Sequence, residues 1–165
     1  MTKLVIRQGK PIDASNLMRN LAEMYEEYPQ YPKPDPYMGL NWVANTLSSG
    51  YVIVADLSGR LVGSIALTNY QFPFSPQWFM YLEWLCVQKR FREEGTFDAL
   101  MAAAHAFADE KKAPILAGIS AAGEDVFVKD RLMKMRGYVY IGGTFIRSAD
   151  HGQQHQEDQA DLSAA

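Results

Sequence analysis

Within the run Trp78 to Val87 every residue is apolar or aromatic except Glu83. A carboxylate set in such a run loses hydration water, which raises its pKa toward the range where a general base works at neutral pH. Glu83 is therefore the candidate catalytic residue. Its alternative is structural: an ion pair with a neighbouring Arg or Lys, or a solvent-facing place on a sheet edge. Read as a strand, the run alternates. Glu83 then shares one face with Phe79, Tyr81, Leu85 and Val87, while Trp78, Met80, Leu82, Trp84 and Cys86 take the other.

A second chemical feature follows directly. Arg92-Glu93-Glu94-Gly95-Thr96-Phe97 precedes a segment whose apolar residues Phe97, Leu100, Met101, Ala104, Phe107 and Ala108 have helical spacing. The spacing predicts a helix from about Gly95 to Lys111. Unpaired N–H groups at a helix opening, with roughly half a positive charge from the macrodipole, receive a pyrophosphate where small residues let it approach. Glu93 and Glu94 suit a helix start but repel such a group. Two unit charges about 4 Å apart cost about 1 kcal/mol in water and about 4 at an effective dielectric of 20. Arg92, Arg90 and Lys89 offset that repulsion.

Other reactive residue types read as structural. Cys86, the one cysteine, sits among Trp84, Leu85 and Val87 and reads as core, and it excludes an intramolecular disulfide and a Cys-rich zinc site. His105 lies four residues before Asp109, the spacing of a helix-surface ion pair. His151 and His155 lie in a polar tail, so no metal site is expected. Lys129, Arg131, Lys134 and Arg136 read as a solvated helix face.

These residues need a scaffold. Leu4 to Arg7 reads as a strand, and Asp13 as the cap of a helix carrying Leu17, Met18, Leu21, Met24, Tyr25 and Tyr28 on one face, ended by Pro29. Four prolines between Pro29 and Pro36 forbid regular structure, leaving a Tyr-Pro segment that is either a stiff linker or a ligand wall. A short helix follows from Gly39 to Ser48, with Leu40, Val43 and Leu47 inward and Gly50 as its stop. Tyr51–Ala55 and Leu61–Leu67 flank Ser58-Gly59 as a hairpin. Gln71 to Gln77 is a loop and Lys89 to Glu94 a charged loop. Pro114 to Ser120 reads as a buried strand, Glu124 to Arg136 as a helix stopped by Gly137, and Tyr138 to Arg147 as one or two closing strands. Residues 148–165 lack aromatics and read as a flexible tail.

The chain has 165 residues, 48% hydrophobic and 21% charged, the composition of one globular domain. Its net charge of −3 speaks against nonspecific binding of nucleic acid or an anionic membrane. No signal-peptide or membrane-spanning run is read, so a soluble cytoplasmic protein is expected. The order of elements predicts an α/β fold, a mixed sheet with helices on both faces.

That order resembles the GNAT superfamily of acyl-CoA-dependent N-acyltransferases over about Leu4 to Arg147. The resemblance centres on Leu82-Glu83-Trp84-Leu85-Cys86-Val87 and Gln88 to Met101, with Gly137-Tyr138 where the family commonly has Gly-Phe. It implies a single domain over residues 1–147 with a mainly antiparallel sheet, transferring an acyl group, most simply acetyl from acetyl-CoA, to a small-molecule or peptide amine. Glu83 would be the base. The backbone of Leu85, Cys86 and Val87 would hold the pantetheine arm, and that of Arg92, Glu93, Glu94, Gly95, Thr96 and Phe97 the pyrophosphate. Arg92 and Gly95 match the family's phosphate motif. Glu93 stands where glycine is common and Phe97 where glycine or alanine is expected. Met133 occupies the position of a tyrosine that protonates the leaving thiolate, so Tyr138, Tyr140 or a water must replace it. These departures support an alternative: an inactive binding or assembly module, phage-associated for example, with a homo-oligomer or a tail-bound protein as partner.

Overall fold

Ser58 and Gly59 both adopt positive φ, 54° and 85°. Two such residues form the tight turn whose twist suits paired antiparallel strands, and Asp56 Oδ1 fastens it by accepting from the Gly59 N–H at 2.6 Å. The hairpin joins β2 (Tyr51–Leu57) to β3 (Arg60–Gln71). The computed structural model describes residues 3–28, 32–118 and 126–141, with backbone alone for 126–129. Two compact units divide the chain, Met1–Asp130 and Arg131–Ala165.

In the first unit, β1 (Leu4–Gln8), α1 (Ala14–Tyr25) and α2 (Pro36–Ser49) precede the hairpin. After it come β4 (Trp78–Val87), a 3₁₀ turn over Lys89–Glu94, α3 (Thr96–Glu110) and β5 (Ile115–Ala117). The strands form one sheet in chain order, antiparallel except for the parallel pair β4–β5. Leu17 and Leu21 of α1 and Val43 of α2 pack with Val52, Val54, Ala66, Trp84 and Cys86 on one face. On the other face α3 contacts β2 and β3, burying Leu100, Met101 and Ala104. The expected α/β class, with a mixed and mainly antiparallel sheet and helices on both faces, is what forms.

Several local expectations are corrected. Asp13 occupies the N-cap position of α1 but makes no side-chain cap bond. Its carboxylate instead accepts from the Lys10 N–H at 2.8 Å and from both terminal nitrogens of Arg7 at 2.8 and 3.0 Å. The helix ends at Tyr25, so Tyr28 lies beyond it in a turn. α2 begins three residues earlier than its spacing suggested. Asp35 accepts from the Met38 N–H at 2.8 Å, and Pro36 takes the first helical position, where its missing N–H costs nothing. Leu40 is exposed rather than inward, and Thr46 is buried in its stead. The charged segment Lys89–Glu94 is a 3₁₀ turn rather than a loop.

Of Pro114 to Ser120, only Ile115–Ala117 forms a strand, and it is half-buried; residues 119 and 120 lie outside the described residues. Pro29, Gln30 and Tyr31 also lie outside them. α4 (Val126–Lys134) runs across the junction of the units. In the second unit Gly137, at φ 83°, ends the helical segment as expected. Its N–H reaches the Lys134 carbonyl, and the Tyr138 N–H reaches that of Met133. Tyr138 to Ile141 form no strand. The remainder of the expected closing strands and the tail, residues 142–165, lie outside the described residues.

Candidate active site

The register of β3 against β4 pairs Ala66 with Trp84 and Leu67 with Leu82, passing over Glu83. Glu83 is thus the extra residue of a β-bulge, which bends a strand and reverses the phase of its alternation. Trp84 and Cys86 consequently lie on the α1–α2 face, which Ala66, Thr68 and Tyr70 also occupy, together with Tyr81 opposite Thr68 and Phe79 opposite Tyr70. Leu85 and Val87 pass to the α3 face. Strict alternation had grouped Leu85 and Val87 with Phe79 and Tyr81, and Trp84 and Cys86 with Trp78, Met80 and Leu82. The inserted residue overturns that grouping.

Glu83 is half-buried, and its Oε1 accepts from Thr68 Oγ1 at 2.7 Å. Neither an ion pair to Arg nor one to Lys is found for it among the described residues.

The bulge directly follows the last described pairing of β4 with β5. β5 pairs with Met80, Tyr81 and Leu82 through Ile115, Leu116 and Ala117. From Glu83 to Val87, β4 pairs with β3 alone among the described residues. No described strand lies on that side of β4 beyond Leu82, beside the backbone of Leu85, Cys86 and Val87. The Val87 carbonyl accepts from Arg92 Nε at 3.1 Å.

Arg92 stands just beyond the end of β4. Its terminal nitrogens donate to both carboxylate oxygens of Glu27, the Nη1 bond being 2.9 Å, and so tie the 3₁₀ turn to the segment after α1. Gly95 then turns at φ 74° to start α3, and a Cβ built there meets no atom within 4 Å. Glu93, Glu94 and Gly95 are exposed, Thr96 is buried and Phe97 is half-buried. The bulky Phe97 leaves the space over Gly95 open.

A cleft of about 280 Å³ lies between α1 and the end of β4, lined by Asn20, Glu23, Glu27, Cys86, Val87 and Gln88. Asn20, 1% exposed, holds this corner together: its Nδ2 donates to the Leu61 carbonyl at 3.0 Å and its Oδ1 accepts from Gln88 Nε2 at 2.8 Å. Cys86 Sγ contacts the Asn20 carbonyl at 3.4 Å, and burial pushes its thiol up to about 12, far from a nucleophile's range. Trp84 Nε1 donates to Ser64 Oγ at 3.0 Å, and Trp42 stands edge-on to Trp84. In the second unit Met133 carries no transferable proton, and burial raises the Tyr138 phenol to about 12.

Thr68, Asn20 and Glu27 escaped sequence reading. Asn20 alone left a signal, standing three residues after Leu17 and beside Leu21 on the inward face of α1. Thr68 and Glu27 meet their partners across 15 and 65 residues, and no local pattern announces that.

Residues 17–123 match the model of a family described as Acetyltransferase (GNAT) family. No curated protein sequence matches the chain. Among solved structures, "a possible acetyltransferase from Clostridium difficile 630" superposes with a TM-score of 0.70 at 15% identity, over 88% of this chain and 97% of that one. An aminoglycoside N-acetyltransferase, AAC(6')-Iy in complex with CoA, gives 0.67 at 15% identity, over 91% and 97%. An aminoglycoside acetyltransferase from an uncultured soil metagenomic sample, in complex with sisomicin, gives 0.65 at 19% identity, over 89% and 97%. At these identities the likeness is one of fold.

Proposed function

The chain belongs to the GNAT acetyltransferase family, and on that premise we propose that it transfers an acetyl group from acetyl-CoA to an amine by direct attack in a ternary complex. The observation that carries this reading is the bulge at Glu83 on β4 followed, at the opening of α3, by the exposed left-handed turn at Gly95.

The residues present fit a coenzyme A molecule. Backbone groups of Leu85 and Cys86 on the side of β4 away from β3 suit the amide-bearing pantetheine arm, which would add to the sheet like a strand. The opening of α3 from Arg92 to Phe97 suits the pyrophosphate, because Gly95 lets it approach the backbone. Acetyl-CoA supplies the activated thioester carbonyl. Glu83 accepts the proton of the acceptor amine, directly or through a water, and Thr68 holds the carboxylate in place. Arg92, held by Glu27 and the Val87 carbonyl, stands at the phosphate end with its charge offset by Glu27.

The acceptor is a small-molecule or peptide amine, and the cytoplasm is the compartment that suits the reading. Among the described residues no helix is long and apolar enough to cross a membrane. An inactive binding module draws no support from the family match. Calorimetric titration with acetyl-CoA tests the proposal: saturable 1:1 binding is expected, and absence of heat and of any thermal shift at millimolar cofactor contradicts it.

A further inference from the structure

From Thr68 to Leu82 the chain holds no Lys, Arg, Asp or Glu, and four of its rings, Tyr70, Phe72, Phe79 and Tyr81, gather together. Tyr81 lies opposite Thr68 and Phe79 opposite Tyr70 across the β3–β4 ladder, on the face from which Thr68 reaches the Glu83 carboxylate. Tyr70 and Tyr81 stand 5.9 Å apart between ring centroids, Tyr70 and Phe72 5.1 Å, and Phe72 and Phe79 5.5 Å. Burial falls along this face, from Ala66 at 0% to Tyr70 at 37% exposed. The rings therefore form a wall that is partly open, next to one carboxylate and no other charge of the same stretch.

We infer that the acceptor is a monoamine whose nitrogen is carried by a short alkyl spacer on an aromatic body; the inference rests on the reading of Glu83 as the base. A wall of rings attracts an aromatic body through offset and edge-to-face contacts, and its π-faces attract an ammonium before deprotonation. Between Thr68 and Glu83 the two strands offer one carboxylate, that of Glu83, which suits a single ammonium better than a polyamine or aminosugar.

The test compares initial rates of thiol release from acetyl-CoA with phenethylamine, butylamine and spermidine. The kcat/KM for phenethylamine is expected to exceed that of each other amine by about tenfold or more. Tyr70→Ala, at a partly exposed ring, and Phe79→Leu, which keeps apolar bulk without the ring, are each expected to bring the phenethylamine-to-butylamine ratio toward one through KM. Equal or better use of spermidine, or a ratio unmoved in both variants, overturns the inference. Acetyl-CoA titrated without amine separates the two levels. Binding without an aromatic preference removes the acceptor class alone, and no binding removes the transferase reading with it.

Discussion

Thr68 Oγ1 donates to Glu83 Oε1 at 2.7 Å, across a bulge that leaves Glu83 without a partner residue in the β3–β4 ladder. The bulge re-aims the carboxylate, and the hydroxyl fixes one rotamer of it. With Glu83 proposed as the base, Thr68 is proposed as its positioning residue. Thr68→Val is expected to lower kcat by about three- to tenfold, the loss of one hydrogen bond to a charged group, with the KM for acetyl-CoA unchanged. Thr68→Ser, which keeps the hydroxyl, should restore kcat. Steady-state kinetics with both substrates varied provides the check.

Arg92 and Glu27 are each about one-third exposed, so their pairing contributes at most about 1 kcal/mol to stability. Its effect on an incoming phosphate is larger in kind, because Glu27 neutralises a guanidinium beside the opening of α3. Glu27→Gln is expected to tighten coenzyme A binding by a few-fold at low ionic strength, and by less at high salt. Calorimetry at two salt concentrations measures both.

Arg7 joins β1 to two carboxylates: it donates to Asp13 at 2.8 Å and to Asp56 at 3.0 Å. The hydrogen bonds from Arg7 hold the Asp13 carboxyl below its usual range, against the opposing pull of burial, and raise Arg7 in turn. A depressed carboxylate contributes stability that is complete above its unfolded pKa, near 3.8, and is lost as pH falls through its lower folded value. Asp13→Asn is expected to cost about 2–3 kcal/mol at pH 7 and to flatten the loss of stability below pH 4. Urea midpoints at pH 7 and pH 3 for the two proteins give the answer.

Burial that pushes the Cys86 thiol up to about 12 predicts an inert thiol. A disulfide reagent at pH 8 should label none of the native protein within minutes and one thiol per chain in denaturant. Rapid native labelling would mean that the corner held by Asn20 opens readily.

Legibility in the sequence followed the range of the interactions involved. The stripes of α1 and α3, the Ser58-Gly59 turn and the apolar run of β4 are local patterns, and each led to the right element. The bulge was not legible, since strict alternation cannot reveal an inserted residue when apolar side chains occupy both faces. Glu83 stands out as a candidate because charge is conspicuous in that run. Its partner Thr68 was not, because a threonine in a strand is ordinary. Asp13 misled for the opposite reason: a good capping residue stood at the right position, yet Arg7 offered it two charged donors. Pro36 reads as a breaker within a run of four prolines, although Asp35-Pro36 is also a helix opening, the role it takes through the Asp35 cap.

The central claim is that Glu83 takes the acceptor's proton at a site built to hold acyl-CoA. Amine-dependent thiol release from saturating acetyl-CoA, measured for the native protein and Glu83→Gln, tests it most directly. The account predicts a fall of about 100-fold or more in the variant, with acetyl-CoA binding by calorimetry unchanged. A variant that turns over at the native rate would contradict it.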